Sequence, residues 1–117
     1  MYEYKCRLVR IIDGDTVDAY IDLGFNVSVK KRIRFYGINT PESRTRDKEE
    51  KKRGLAAKRR LRELFDKNNN KFLLKSHGVG KFGRCLGELF FDEKKEISFQ
   101  RVLINEGHGV EYFGGKR

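Results

Sequence analysis

The sequence predicts a mainly β chain of the α+β class: a five-stranded barrel with a helix after the third strand and another after the fifth. Three observations lead there. β-rich runs punctuated by Asp, Gly and Asn fill the first third of the chain. Two segments, around 57–65 and 98–106, carry apolar residues at helical spacing. The connections between the first three runs are too short for anything but antiparallel neighbours. At 117 residues the chain is read as one domain, 1–117, with a single core.

The elements follow in order. Tyr4 to Ile12 is β-rich and ends at the turn Asp13-Gly14-Asp15. Thr16 to Leu23 alternates, with Val17, Ala19 and Ile21 on one face and Thr16, Asp18, Tyr20 and Asp22 on the other. Gly24 breaks it. Val27 to Ile38 reads as one long third strand, with Val27, Val29, Ile33 and Phe35 opposite Lys30, Arg32 and Arg34, and Lys31 on the apolar parity. A helix follows, its stripe formed by Ala57, Leu61, Leu64 and Phe65; Asn68-Asn69-Asn70 ends it. Lys71 to Lys75 is the fourth strand, His77 to Gly83 a glycine-rich loop, and Arg84 to Phe91 the fifth strand. After a charged turn, Ser98 to Glu106 is a helix with Phe99, Val102 and Leu103 as its buried stripe and Gly107 as its stop. From Gly109 onward no periodicity is visible. The order β-β-β-α-β-β-α is that of an OB-fold barrel, a frequent nucleic-acid binder, although a fold alone does not establish a function.

Charge narrows the partners. Charged residues make up 38% of the chain and the net charge is +10, which favours nucleic acid first and an anionic membrane surface second. Ten Lys/Arg against three acids between Arg44 and Arg62 leave +7 in that stretch alone. Lys48, Lys51 and Lys52 within it are candidate phosphate contacts, although a charged helix face is often only solvated. The expected partner is DNA and/or RNA, single strands preferred, bound by a monomer and not a membrane. No apolar segment follows Met1, so no signal peptide and a cytoplasmic or phage-encoded intracellular setting are expected. No apolar run approaches the ~18–20 residues of a spanning helix. Cys6 and Cys85 read as reduced thiols, with a disulfide left open. Only His77 and His108 could join them, at no zinc-like spacing.

Three segments carry the chemistry. Asp13-Gly14-Asp15-Thr16 offers two carboxylates around a residue that lets the chain bend; taken alone, an ordinary Asp-Gly hairpin turn is the commoner reading. In Asn39-Thr40-Pro41-Glu42, Pro41 holds Thr40 extended and donates to no ladder. The Thr40 carbonyl and the Asn39 amide oxygen are then candidate metal ligands, and Glu42 a candidate base for a water. Alone, this segment is equally a capped loop entry. Arg34 and Arg84, the latter ending Lys81-Phe82-Gly83-Arg84, could each grip two phosphate oxygens, or could be surface strand residues. Hard oxygen ligands, a carboxylate and two guanidiniums together are the parts a one-metal phosphodiesterase requires.

In this combination the chain resembles the staphylococcal nuclease (thermonuclease) family of calcium-dependent nucleases, from about Tyr4 to Tyr112. That family carries Asp-Gly-Asp-Thr, then Arg through Asp-Thr-Pro-Glu, then a Lys-Tyr-Gly-Arg-like segment. The span from Glu42 to Gly54 resembles its long active-site loop. The resemblance implies a calcium-dependent endonuclease of little sequence specificity, using one Ca2+ ion. Asp15 would be a direct ligand, Asp13 an outer-shell one, and Asn39 and the Thr40 carbonyl further ligands. Glu42 would be the general base or water positioner, and Arg34 and Arg84 would stabilise the phosphorane-like transition state. Lys81 and Phe82 would flank the nucleotide, Phe82 by stacking, and Tyr112 would bond a phosphate. Three departures stand out. Asn39 replaces an Asp and removes one ligand charge, so weaker calcium binding is expected. Gly80 stands where an Asp is frequent. The third family helix is expected to be shortened or absent. The alternative is a non-catalytic OB-fold module that holds single-stranded nucleic acid at a degenerate metal site.

Overall fold

The structure, a computed structural model, describes residues 2–79 and 84–113. The elements are β1 (Glu3–Asp13), β2 (Thr16–Gly24), β3 (Val27–Phe35), β4 (Gly37–Asn39), α1 (Lys48–Lys67), β5 (Lys71–Val79), β6 (Cys85–Phe90), α2 (Phe99–Asn105) and β7 (Val110–Tyr112). β1, β2 and β3 form the expected antiparallel meander. The barrel closes in the order β1-β2-β3-β6-β5, with β3 and β6 parallel and the other pairs antiparallel. Alternation decides what it encloses: Val17, Ala19, Ile21, Ile33 and Phe35 are buried, while Tyr20, Lys30 and Arg32 face out. The α1 stripe (Ala57, Leu61, Leu64, Phe65) is buried as its spacing predicts, and the Phe65 ring packs on Phe72 and Phe99. Among the described residues no helix is long and apolar enough to cross a membrane. Both thiols are free.

Three expectations change. The third strand does not run to Ile38. It breaks after Phe35, because Gly37 takes a left-handed backbone (φ 84°), and residues 37–39 leave the barrel to pair with β7. The chain tail, without visible period because three residues are too few to show one, thereby sets the direction of Asn39. The break would orphan the Tyr36 carbonyl. Buried Gln100 on α2 donates to it at 3.1 Å and to the Gly87 carbonyl at 3.0 Å, while its own oxygen accepts from Leu89 N–H. Second, the loop after Glu42 does not extend to Gly54. Asp47 caps α1 by accepting from Glu49 and Glu50 N–H, and these two acids favour the helix N-terminus, so the helix starts at Lys48. Third, β5 continues through His77 to Val79, where a loop is expected. Among the described residues no third helix follows α2.

Candidate active site

The β1–β2 turn and the segment after β4 meet on α1. A Cβ on Gly14 would lie 2.8 Å from Ala57 Cβ, and one on Gly54 would lie 2.7 Å from Ser43 N and collide with the Glu42 carbonyl. Gly54 and Ala57 are therefore a small-residue seat, Gly54 for residues 42–43 and Ala57 for Gly14, which itself packs on Thr40. Gly54 extends the helix stripe by one turn toward its N-terminus, a signal legible in the spacing but easily passed over.

Asp15 is only 7% exposed. One of its oxygens accepts from Thr16 Oγ1 at 3.0 Å; the other accepts from Thr40 N–H at 3.0 Å. That second oxygen also lies 3.5 Å from Arg34 Nη1. Arg34 Nη1 donates to the Phe35 and Ile38 carbonyls at 2.8 and 2.9 Å, and Nη2 approaches Asn39 Oδ1 at 3.5 Å. The Phe35 and Ile38 carbonyls, on either side of the β3 break, thus hold the guanidinium between Asp15 and Asn39. Asp13 accepts from both the N–H and the hydroxyl of Ser43, which ties the turn to the loop. Ser43 has no sequence signature, because its partner lies thirty positions away. Thr40 Oγ1 is buried without a hydrogen-bond partner among the described residues. Glu42 is exposed next to this cluster. Arg84 lines an open groove of about 650 Å3 that also has Asp13, Thr16, Lys30, Lys31, Arg32 and Arg44 among its walls. Half-buried Tyr112 sits on β7 opposite Gly37. Lys48, Lys51 and Lys52 are exposed in the first turns of α1, outside the groove walls. Gly80, Lys81, Phe82 and Gly83 lie outside the described residues.

The model of the staphylococcal nuclease homologue family matches residues 32–116. The chain belongs to this family. The match begins inside β3, so Asp13 and Asp15 precede it. No curated protein matches the chain. In this staphylococcal nuclease homologue the floor of the groove is electrostatically settled: Asp18 bonds Arg32 at 2.9 Å and Arg10 at 3.0 Å, and the Arg32 bond above all holds its carboxyl below the usual range. Asp18 is thereby committed to its arginines. Among the described residues there is no group of three or more His, Cys, Asp or Glu that could hold a metal.

Proposed function

We propose that this staphylococcal nuclease homologue is a metal-assisted endonuclease that hydrolyses phosphodiesters of DNA or RNA with little sequence specificity. The observation that carries this reading is the position of Arg34, within 3.5 Å of both an Asp15 carboxylate oxygen and the Asn39 amide oxygen. Two oxygens and a fixed guanidinium converge where a phosphate and its cation could share the space. The donor set is oxygen only, which suits calcium, and its single convergent carboxylate suits weak binding completed by substrate oxygens. Asp15, Asn39 and the Thr40 carbonyl would hold the ion, with Asp13 behind them. Bound there, the ion supplies Lewis-acid polarisation of a phosphate oxygen. Glu42 takes a proton from the attacking water as the new P–O bond forms and the leaving oxygen departs. Arg34, already oriented by two carbonyls, and Arg84, from the groove that Asp13 also lines, donate to the phosphate oxygens as negative charge builds.

A second reading, a nucleic-acid-binding module that does not cut, is favoured by the neutral Asn39 and by the lack of a carboxylate cluster among the described residues. One assay separates the two: cleavage of single-stranded DNA with Ca2+, Mg2+, Mn2+ or EDTA in parallel. Cutting with a divalent ion and not with EDTA is expected. Glu42→Gln should lower turnover about 100-fold or more, and Arg34→Ala and Arg84→Ala each about 100-fold, with folding intact by circular dichroism. Intact DNA in every metal, with cutting restored by Asn39→Asp, would establish the binding module instead.

A further inference from the structure

The β2–β3 ribbon carries features that the site above does not use. Three successive residues at its tip have left-handed backbone: Gly24 (φ 84°), Phe25 (φ 56°) and Asn26 (φ 60°). Glycine and asparagine adopt this region readily; a bulky aromatic there is an outlier. Phe25 is also 100% exposed. Leu23 and Val27 beside it are half exposed, as is Tyr20 one strand turn back (48%). Neither burial nor backbone preference accounts for Phe25, and strain kept at an exposed tip points to use.

The ribbon leads straight to the groove. Across the outer face, Arg7, Tyr20 and Lys30 stand in register on β1, β2 and β3, so Tyr20 lies between two exposed cations. Among the described residues β6 pairs β3 only at Ile33–Phe35. The edge from Val27 to Arg32 therefore presents Lys30, Lys31 and Arg32 beside the groove that also holds Arg84 and Arg44. Five cations against Asp13 and Asp18 make that groove positive. From Arg34 to Phe25 the ribbon extends about 30 Å at ~3.3 Å per residue, the length of several nucleotides.

We propose that the β2–β3 ribbon is a binding arm for single-stranded nucleic acid. From the groove that Arg84 lines, phosphates follow Arg32, Lys31 and Lys30, and unstacked bases rest on Tyr20 and Phe25. An aromatic surface interleaved with cations is how proteins hold single strands without reading their sequence. The inference rests on the nucleic-acid reading of the fold but not on cleavage, since the arm lies outside the chemistry. It makes the preferred substrate a long strand.

The test is fluorescence anisotropy of a fluorescein-labelled 20-nucleotide single-stranded DNA in EDTA, where nothing is cut. Phe25→Gly should weaken binding about tenfold while raising the melting temperature, because glycine accepts φ 56° without strain. A change that only loosened the structure would move both the same way. Lys30→Ala/Lys31→Ala should lower the slope of log affinity against log salt by about 1.4, roughly 0.7 for each phosphate no longer neutralised. Turnover of a nucleoside nitrophenyl phosphodiester, too short to reach the arm, should stay unchanged in both variants. Wild-type affinity and salt slope in the variants would overturn the proposal, as would no binding of the 20-mer by the parent protein. So would Phe25-dependent sedimentation with phosphatidylserine vesicles alongside unchanged DNA affinity, which would make the tip a lipid contact. Activity lost in Glu42→Gln with the arm intact would separate failure of the chemistry from failure of the arm.

Discussion

The two ends of the β2–β3 pair are built on opposite plans. At the end near Asp15, backbone and side chains are locked together: Gly54 seats residues 42–43, Ser43 ties Asp13, and the Phe35 and Ile38 carbonyls hold Arg34. At the tip near Phe25 a Cβ added to Gly24 would meet nothing within 4 Å, and apolar side chains stand in solvent. Chemistry on phosphorus needs groups held to within a fraction of an ångström. Attraction of a flexible polyanion needs only charge and an accessible ring. On the proposed function, one ribbon is closely packed where geometry would matter and open where only contact would.

The same substitution at both ends breaks the comparison most sharply. Gly54→Ala puts a methyl into the backbone of Glu42 and Ser43 and must move them, so we expect at least a 100-fold fall in turnover, given how steeply rate follows misplacement. Net stability falls by about 1–3 kcal/mol, because overpacking exceeds the helix-propensity gain. Gly24→Ala costs about 1–2 kcal/mol of left-handed backbone energy and should leave turnover of a short phosphodiester unchanged. Chemical denaturation and steady-state kinetics on both variants decide it; equal loss of turnover would erase the distinction.

Ser43→Ala is the next smaller effect. It removes the hydroxyl donor to Asp13 but leaves the Ser43 N–H at 3.3 Å, so stability drops by about 1–3 kcal/mol and turnover falls several-fold. Turnover falling with the Michaelis constant unmoved would mark Ser43 as a positioning residue. The smallest effect belongs to the barrel interior. Burial, helped by Cys85 and Asp22, pushes the Cys6 thiol up to about 12 from an ordinary value near 9. Its pKa is raised on folding, so its contribution is complete below pH 9 and is lost as pH rises toward 12, where the unfolded thiol ionises and the folded one does not. Denaturation midpoints should fall between pH 9 and 10.5 and fall less in Cys6→Ala.

Much of the architecture was legible in local pattern. Alternation at Val17, Ala19 and Ile21 told which face of β2 is inside, and the Leu61–Phe65 stripe told which side of α1 is buried. Gly107 ends α2 with φ 82° as its position implied. The break at Gly37 was not legible, because a glycine in an alternating run tells only that a bend is permitted. Nor was the short loop before α1: the span from Glu42 to Gly54 resembles the family's long loop, whereas Asp47 and the acids after it cap a helix that starts at Lys48. Lys30, Lys31 and Arg32 read in the sequence only as the polar and off-parity positions of a strand, and their place in the groove wall depends on the closed barrel, since helix and strand charges look alike until the barrel closes.

Residue types and their periods, which depend only on neighbours along the chain, determined the barrel, its two helices and the inventory of oxygen donors and arginines. Only tertiary structure decided which of these meet. Ser43 reaching Asp13, Gln100 covering the Tyr36 carbonyl and β7 steering Asn39 each join segments far apart in sequence, and such pairings depend on where the closed sheet places its edges.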